Sequence, residues 1–138
     1  MSFIKSIKKS GSKINLYKLD KDILAKQVGG TTLFSNGIKI CFLDLETTGL
    51  NTEEDKIIEI ALKVVKIDKT DGNIISFEES YESFQDPGMP IEDKISKITG
   101  IDDEMVAGHE IDWNKVNEIV QATDIMVAHN AKFDRSFM

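Results

Sequence analysis

The chain has little of what would tie it to a membrane, to secretion or to thiol chemistry. One of its 138 residues is cysteine, Cys41, so no internal disulfide framework exists, and a lone cysteine in an apolar run is ordinarily a small core hydrophobe. A reducing, cytoplasmic compartment is the expectation. The longest apolar runs, "IKICFLDL" and "IIEIALKVV", are broken by charges well short of the ~20 residues that a membrane-spanning helix requires. The N-terminal "MSFIKSIKKS" is basic but has no apolar core segment, which argues against secretion and leaves an organellar transit peptide as the alternative. Internal repeats and low-complexity tracts are absent. What is there, 41% hydrophobic and 30% charged residues, suits one soluble globular domain with a real core.

Charge is divided unevenly along the chain. Residues 1–37 carry seven Lys against Asp20 and Asp22, a net of +5, and residues 38–138 carry ten Lys or Arg against 22 acids, a net of −12. An acidic body argues against broad, nonspecific binding to a nucleic-acid backbone. It leaves room for a small site in which metal ions screen a phosphate from the surrounding acids.

Residues 1–37 read as a basic extension. Leu16, Leu19, Ile23, Leu24 and Val28 recur near helical spacing before "GGTT" at 29–32, which predicts an accessory helix, its basic face either solvated or turned to nucleic acid or a partner. From residue 38 the pattern changes to strands. A strand at about 38–46 is followed by "KIIEIALKVVKID", a turn at "KTDGN", where Asp71-Gly72 signals a hairpin, and a third strand in "IISFEESYESFQ". "DPGMP" breaks the chain before "IEDKISKITG", a short helix stopped by Gly100. After a helical turn comes an amphipathic helix with Trp113, Val116, Ile119 and Val120 on its inner face. "DIMVAHN" is a fourth strand, and "AKFDRSFM" begins another helix.

Within the first of these strands, "CFLDLETTGL" holds two carboxylates. Alternation puts Asp44 and Glu46 on one face and Cys41, Leu43 and Leu45 on the other. The apolar run upstream reads as a central strand covered on both faces. Two like charges at its end repel each other and lose solvation, which raises their pKa values unless a positive charge compensates. A divalent cation does this best, whereas a solvated acidic face on an edge strand is the plainer alternative. Asp134, five residues after His129 at the start of a helix, stands where an α/β fold brings residues to the carboxyl edge of its sheet. If its strand lies beside the first, three carboxylates converge in a hard-cation oxygen site.

"FLDLETTGL" and "AHNAKFD" resemble the first and second motifs of the DEDD, or DnaQ-like, 3′-5′ exonucleases, a group that includes the proofreading epsilon subunit of bacterial DNA polymerase III. "IIEIALKVV" and "ISKITGIDDEMV" resemble the same family's second strand and the helix and loop after its third, so the likeness runs over residues 38–138. It implies an α/β, RNase H-like mixed sheet flanked by helices, and metal-dependent hydrolysis of the terminal phosphodiester of nucleic acid, with DNA in proofreading or repair as the expected substrate. By the same resemblance Asp44, Glu46 and Asp134 are the catalytic carboxylates that hold two divalent cations, Mg²⁺ or Mn²⁺. Thr47, Thr48 and Leu50 line the pocket for the terminal nucleotide through main-chain N–H groups or hydroxyls and an apolar contact with the base, and Asn130 ties down the loop carrying Asp134. The implied partners are single-stranded or 3′-end nucleic acid, and a polymerase subunit or a complementing C-terminal segment.

The family's third motif, His-x4-Asp or Tyr-x3-Asp, supplies a general base and a fourth carboxylate, and no such motif follows Asp134 within these 138 residues. His109 precedes the second motif in a polar loop and does not fit that role, and His129 belongs to the opening of the second motif. The expectation is therefore a C-terminally truncated domain, inactive alone, with apolar surface open around Met126, Phe133 and Phe137. A noncatalytic remnant that binds nucleic-acid ends or a polymerase partner is the alternative.

Overall fold

The computed structural model describes residues 4–10, 13–18 and 37–138. The chain divides into two compact units, Met1–Phe34 and Ser35–Met138. In the first, β1 (Ile4–Ser10) and β2 (Lys13–Lys18) form an antiparallel ribbon. Leu16, expected at the start of a helix, lies in β2 opposite Ile7. The remainder of the expected accessory helix, residues 19–28, lies outside the described residues.

The second unit is built on a sheet of order β5-β4-β3-β6, with β3 (Gly37–Thr47), β4 (Ile57–Asp68), β5 (Ile74–Phe84) and β6 (Ile125–Ala128). β3, β4 and β5 are an antiparallel meander, and β6 pairs parallel with β3. The β4–β5 turn closes where expected: Asp68 donates its N–H to the Asn73 carbonyl, and Gly72 takes a positive φ of 73°, a conformation that costs glycine nothing. β6 is set in register at its start by Asp124, whose N–H donates to the Lys39 carbonyl at 3.0 Å while its carboxylate accepts the Lys39 N–H at 2.8 Å.

β3 is central by pairing, but among the described residues its two faces are unequally covered, contrary to the sequence expectation. Cys41, Leu43 and Leu45 are buried in the main core with Ile60, Leu62 and Val64 of β4, whereas Phe42 on the opposite face is 41% exposed. Helix packing goes to the Cys41 side, and two carboxylates on the other face keep part of their solvation. The cover is α3 (Trp113–Gln121), following α1 (Asp93–Thr99) and the single turn α2 (Asp103–Val106). Val116 and Ile119 of α3 are buried in that core, each contributing roughly 1.5–3 kcal/mol. Trp113, expected with them, is half exposed. Ile111, just ahead of the helix cap, takes the first core position instead. The cap fixes that choice, since Asp112 accepts the N–H groups of Asn114 and Lys115 at 3.0 and 3.1 Å while donating its own N–H to the Tyr81 hydroxyl of β5 at 2.8 Å. Such a cap contributes about 1 kcal/mol.

A β-bulge separates the pair Glu46–Glu59 from the pair Thr47–Ile57. The extra residue, Ile58, is fully buried in a second cluster with Ile91, Ile101 and Val106, so the bulge lets one strand feed two cores. Finally α4 (Ala131–Phe137) follows β6. Of the positions expected to be left open, Met126 is, but Phe133 and Phe137 stack on each other at 4.9 Å between centroids, and Phe137 packs on the main core.

Candidate active site

The parallel pairing of β3 and β6 fixes the site. Leu43 lies opposite Ala128, so the chain leaving β6 turns into α4 beside the carboxyl end of β3. Asn130 caps α4 through its backbone, its carbonyl accepting the N–H groups of Phe133 and Asp134 at 2.8 and 3.1 Å. Its side chain makes no capping bond, so the tie expected of Asn130 is a main-chain one. That first turn places Asp134 in a buried position, 4% exposed, within Coulombic reach of Asp44.

Burial, and then the charge of Asp134, hold the Asp44 carboxyl above the usual aspartate range, with partial relief from His129. Glu46 is raised by burial and then by Asp44. Asp134 is raised by burial, against the pull of backbone N–H groups, including its own and that of Leu45, and of His129. Asp44 is thus the hub, repelled by or repelling both others. Among the described residues none of the three carboxylates takes part in an ion pair, and no group of three or more His, Cys, Asp or Glu is already gathered closely enough to grip a metal ion. An all-oxygen, like-charged, partly buried set that, among the described residues, makes no ion pair fits a hard divalent cation by its chemistry.

The loop after β3 is organised by a residue that the motifs do not include. The Asp55 carboxylate accepts the Thr48 hydroxyl at 2.9 Å and the Asn51 N–H at 2.8 Å, while the Thr48 oxygen accepts the Lys56 N–H at 3.0 Å. The Thr47 hydroxyl donates to the Gly49 carbonyl. Both threonines are buried, and their hydroxyls bond within the loop. Leu50, by contrast, is 83% exposed at the tip of this loop. A Cβ on Gly49 would collide with the Asp55 carboxylate, which explains glycine there. Asp55→Ala should cost about 1–3 kcal/mol by leaving the Thr48 hydroxyl and Asn51 N–H unpaired, read as a lowered urea midpoint. An unchanged midpoint would show that the loop is held by other contacts. The signal in the sequence is an acid closing "NTEED" four residues after Asn51.

Glu59 is the second residue that the motifs miss, although it is the only charge in "IIEIAL". It pairs directly with Glu46 across β3–β4, is 7% exposed, and borders a cavity of about 310 Å³ with Glu82, Ser83, Phe84 and His109. Burial first, then Glu82, Glu46 and Asp44, push its carboxyl up.

Four raised carboxyls determine a pH response. Each keeps its proton to higher pH in the folded than in the unfolded chain, so the folded state binds more protons across that interval and stability falls as pH rises through it. Without divalent cations the melting temperature should fall as pH rises through the interval just above the ordinary carboxylate range. Asp68 and Asp86 are held below the usual range by backbone N–H groups, chiefly those of Thr70 and Gly108, and act in the opposite sense only at lower pH. A melting temperature in EDTA that is flat or rises across that window would contradict the assignment.

Known proteins resemble this chain in sequence and in fold. The RNase T family profile, described as exonuclease, matches residues 41–138. The PolC-type DNA polymerase III of Listeria welshimeri is 40% identical over 101 residues, 71% of this chain and 6% of the polymerase, and that of Pediococcus pentosaceus is 39% identical over 105 residues, 74% of this chain and 7% of the polymerase. The chain therefore spans a small fraction of the length of these relatives. Among solved structures, Escherichia coli exonuclease I in complex with a dT13 oligonucleotide matches with a TM-score of 0.56 at 17% identity, over 72% of this chain and 22% of that one. The moderately thermophilic exonuclease I of Methylocaldum szegediense matches with a TM-score of 0.56 at 20% identity and the same coverage. These likenesses establish the RNase H-like fold, a mixed four-stranded sheet with flanking helices. Over residues 41–138 the chain belongs to the RNase T exonuclease family, in the DnaQ-like group that its two motifs resemble.

Proposed function

We propose that residues 38–138 provide the cation-binding part of a 3′-5′ exonuclease site acting on single-stranded nucleic acid, DNA in replication or repair being the substrate class that the polymerase relatives favour, and that residues 1–37 are an appendage to it. The observation that supports this reading is the approach of Asp134 to Asp44, the strand neighbour of Glu46, at the carboxyl end of the parallel pair β3 and β6. Asp44, Glu46 and Asp134 would hold two divalent cations, Mg²⁺ or Mn²⁺. Bound there, such ions supply the charge that activates a water and stabilises the leaving oxygen of an in-line displacement.

The protein's own contributions are separable. Asp44 links the other two carboxylates electrostatically, and its replacement disturbs both. The Asp55-braced loop presents Leu50 to solvent, where it would contact the terminal base, while main-chain groups of residues 47–50 would meet sugar or phosphate. His129, exposed beside the acids, lowers the cost of their ionisation when protonated. A polymerase subunit is the partner class that the relatives suggest.

End-labelled strands test direction. When the chain is supplied with a His-x4-Asp segment, a 5′ label should yield a ladder of shortening products, and a 3′ label should appear at once as mononucleotide. A ladder from the 3′ label would reverse the assigned direction, and no cleavage of DNA or RNA would leave the noncatalytic, end-binding alternative.

A further inference from the structure

We infer that the cavity beside Glu59 is a binding site for a guanidinium group, separate from the carboxylates at Asp44 and independent of the exonuclease reading. Glu59 lies on the face of the sheet that carries Asp44 and Glu46, away from the main core, and its cavity stands at the β5 side of that face. The residue is only 7% exposed, yet among the described residues its carboxylate accepts no hydrogen bond and joins no ion pair. No buried side-chain oxygen among these residues is both sealed off and unbonded, so the Glu59 carboxylate reaches into the cavity that it lines. A carboxylate held in this way, largely desolvated and unpaired, is costly to the fold, and a bound cationic group offsets that cost.

The walls decide which kind of cation fits. Phe84 pairs with Glu59, and Glu82 with Ala61, across β4–β5, so ladder geometry sets an aromatic ring and a second carboxylate on the same face as Glu59. His109 meets the Phe84 ring edge to face, with 5.9 Å between centroids. Its backbone is pinned to the end of β5, the Asp86 N–H donating to the His109 carbonyl at 2.8 Å and the Gly108 N–H to the Asp86 carboxylate at 3.0 Å. The Ser83 hydroxyl donates to the Phe84 carbonyl, which leaves its oxygen as an acceptor. A cavity of about 310 Å³ is in the range of small-ligand pockets, and among the described residues no three His, Cys, Asp or Glu are gathered closely enough to grip a metal ion. A nucleobase would fit the volume but would bring its phosphate among these acids. A guanidinium meets every condition: its planar fork pairs with a carboxylate through two parallel N–H···O bonds, its remaining donors reach a second acceptor, and its face rests on an aromatic ring. It is supplied by an arginine of a partner chain or by a free guanidine-bearing amine.

The experiment is an NMR titration of the full chain in EDTA, read on the His109 ring and the backbone amides, with agmatine and with the capped tripeptide acetyl-Gly-Arg-Gly-amide. Both should shift the signals of His109 and Ser83 saturably. Tighter binding of agmatine assigns the group to a free amine, and tighter binding of the tripeptide assigns it to a partner's arginine. Glu59→Gln should weaken both by more than about tenfold, as loss of one member of a buried charge pair does. Glu82→Gln, whose side chain is exposed and outside the core, should weaken them by about two- to fivefold. Glu118→Gln, an equal charge change on α3, and Asp44→Asn should keep the parental affinity, so failure of the metal-binding carboxylates and failure of this cavity are told apart. Acetyl-Gly-Lys-Gly-amide should bind roughly fivefold more weakly than the arginine peptide, because an ammonium lacks the fork. No saturable shift with either ligand, parental affinity in Glu59→Gln, equal weakening by Glu118→Gln, or equal binding of the lysine peptide would each overturn the inference.

Discussion

Asp44→Asn is expected to abolish calorimetric Mn²⁺ binding while raising the melting temperature of the metal-free chain. The two effects have one cause. Asp44 is partly buried and exchanges repulsion with both Asp134 and Glu46, so in the absence of cations it destabilises the fold, and the amide keeps its shape without its charge. Relief of like-charged neighbours on a sheet is worth up to about 1 kcal/mol, which for a domain of this size is on the order of 4 °C. With cations present the order reverses. A ligand at ~100 times its dissociation constant stabilises the parent by about 2.7 kcal/mol, and the variant forgoes this. Loss of a residue that merely orients a ligand costs ~10–100-fold in affinity, so loss of the hub ligand should exceed that. Parental affinity in Asp44→Asn would show that the cation site lies elsewhere, and an unchanged metal-free melting temperature would show that the repulsion is already relieved.

The contrast between Asp44 and Glu59 shows how far the sequence can be read. Alternation along β3 places Asp44 and Glu46 on one face, and pairing with β4 and β6 bears this out, because period-2 geometry is local and holds wherever a strand forms. The approach of Asp134 depends on a strand order that no local pattern encodes. The residues anticipate it only on the condition that β6 lies beside β3, a condition that the family resemblance supplies. Glu59 is silent in the sequence for the same reason: its importance lies in the cross-strand partner Glu46, a long-range fact. Trp113 is misplaced because helical periodicity gives a stripe without saying where along the helix the neighbouring sheet begins, and Ile111 fills that place from outside the helix. The threonines illustrate a third kind of limit. Motif resemblance puts Thr47 and Thr48 at a nucleotide, and their hydroxyls also donate to Gly49 and Asp55 within the loop. A motif reports which residues a family keeps and leaves open whether they touch substrate or hold up the loop that does.

Hydrolysis itself is where the separation between present and missing groups should be sharpest. Under the proposed assignment, a polypeptide of these 138 residues retains three carboxylates and a braced, base-facing loop, so it should still orient a 3′ terminus. It has no His-x4-Asp or Tyr-x3-Asp after Asp134, and His129 lies among the acids, where it eases their ionisation. General-base assistance contributes ~10²–10⁴-fold in rate, and loss of a fourth carboxylate adds to that deficit by loosening cation placement. The 138-residue polypeptide should therefore shorten a 5′-labelled strand at least ~10²-fold more slowly than the same polypeptide joined to, or mixed with, a docking segment that carries His-x4-Asp. The restored activity should require Mg²⁺ or Mn²⁺, disappear in EDTA, and be lost in Glu46→Ala. Leu50→Ala should weaken it through KM more than kcat if the loop tip meets the terminal base in the ground state as well as the transition state. Brisk stepwise shortening by the 138 residues alone would show that the third motif is dispensable. A folded, restored protein that takes up Mn²⁺ but shortens neither DNA nor RNA would transfer the role of these carboxylates from cutting a strand end to holding one.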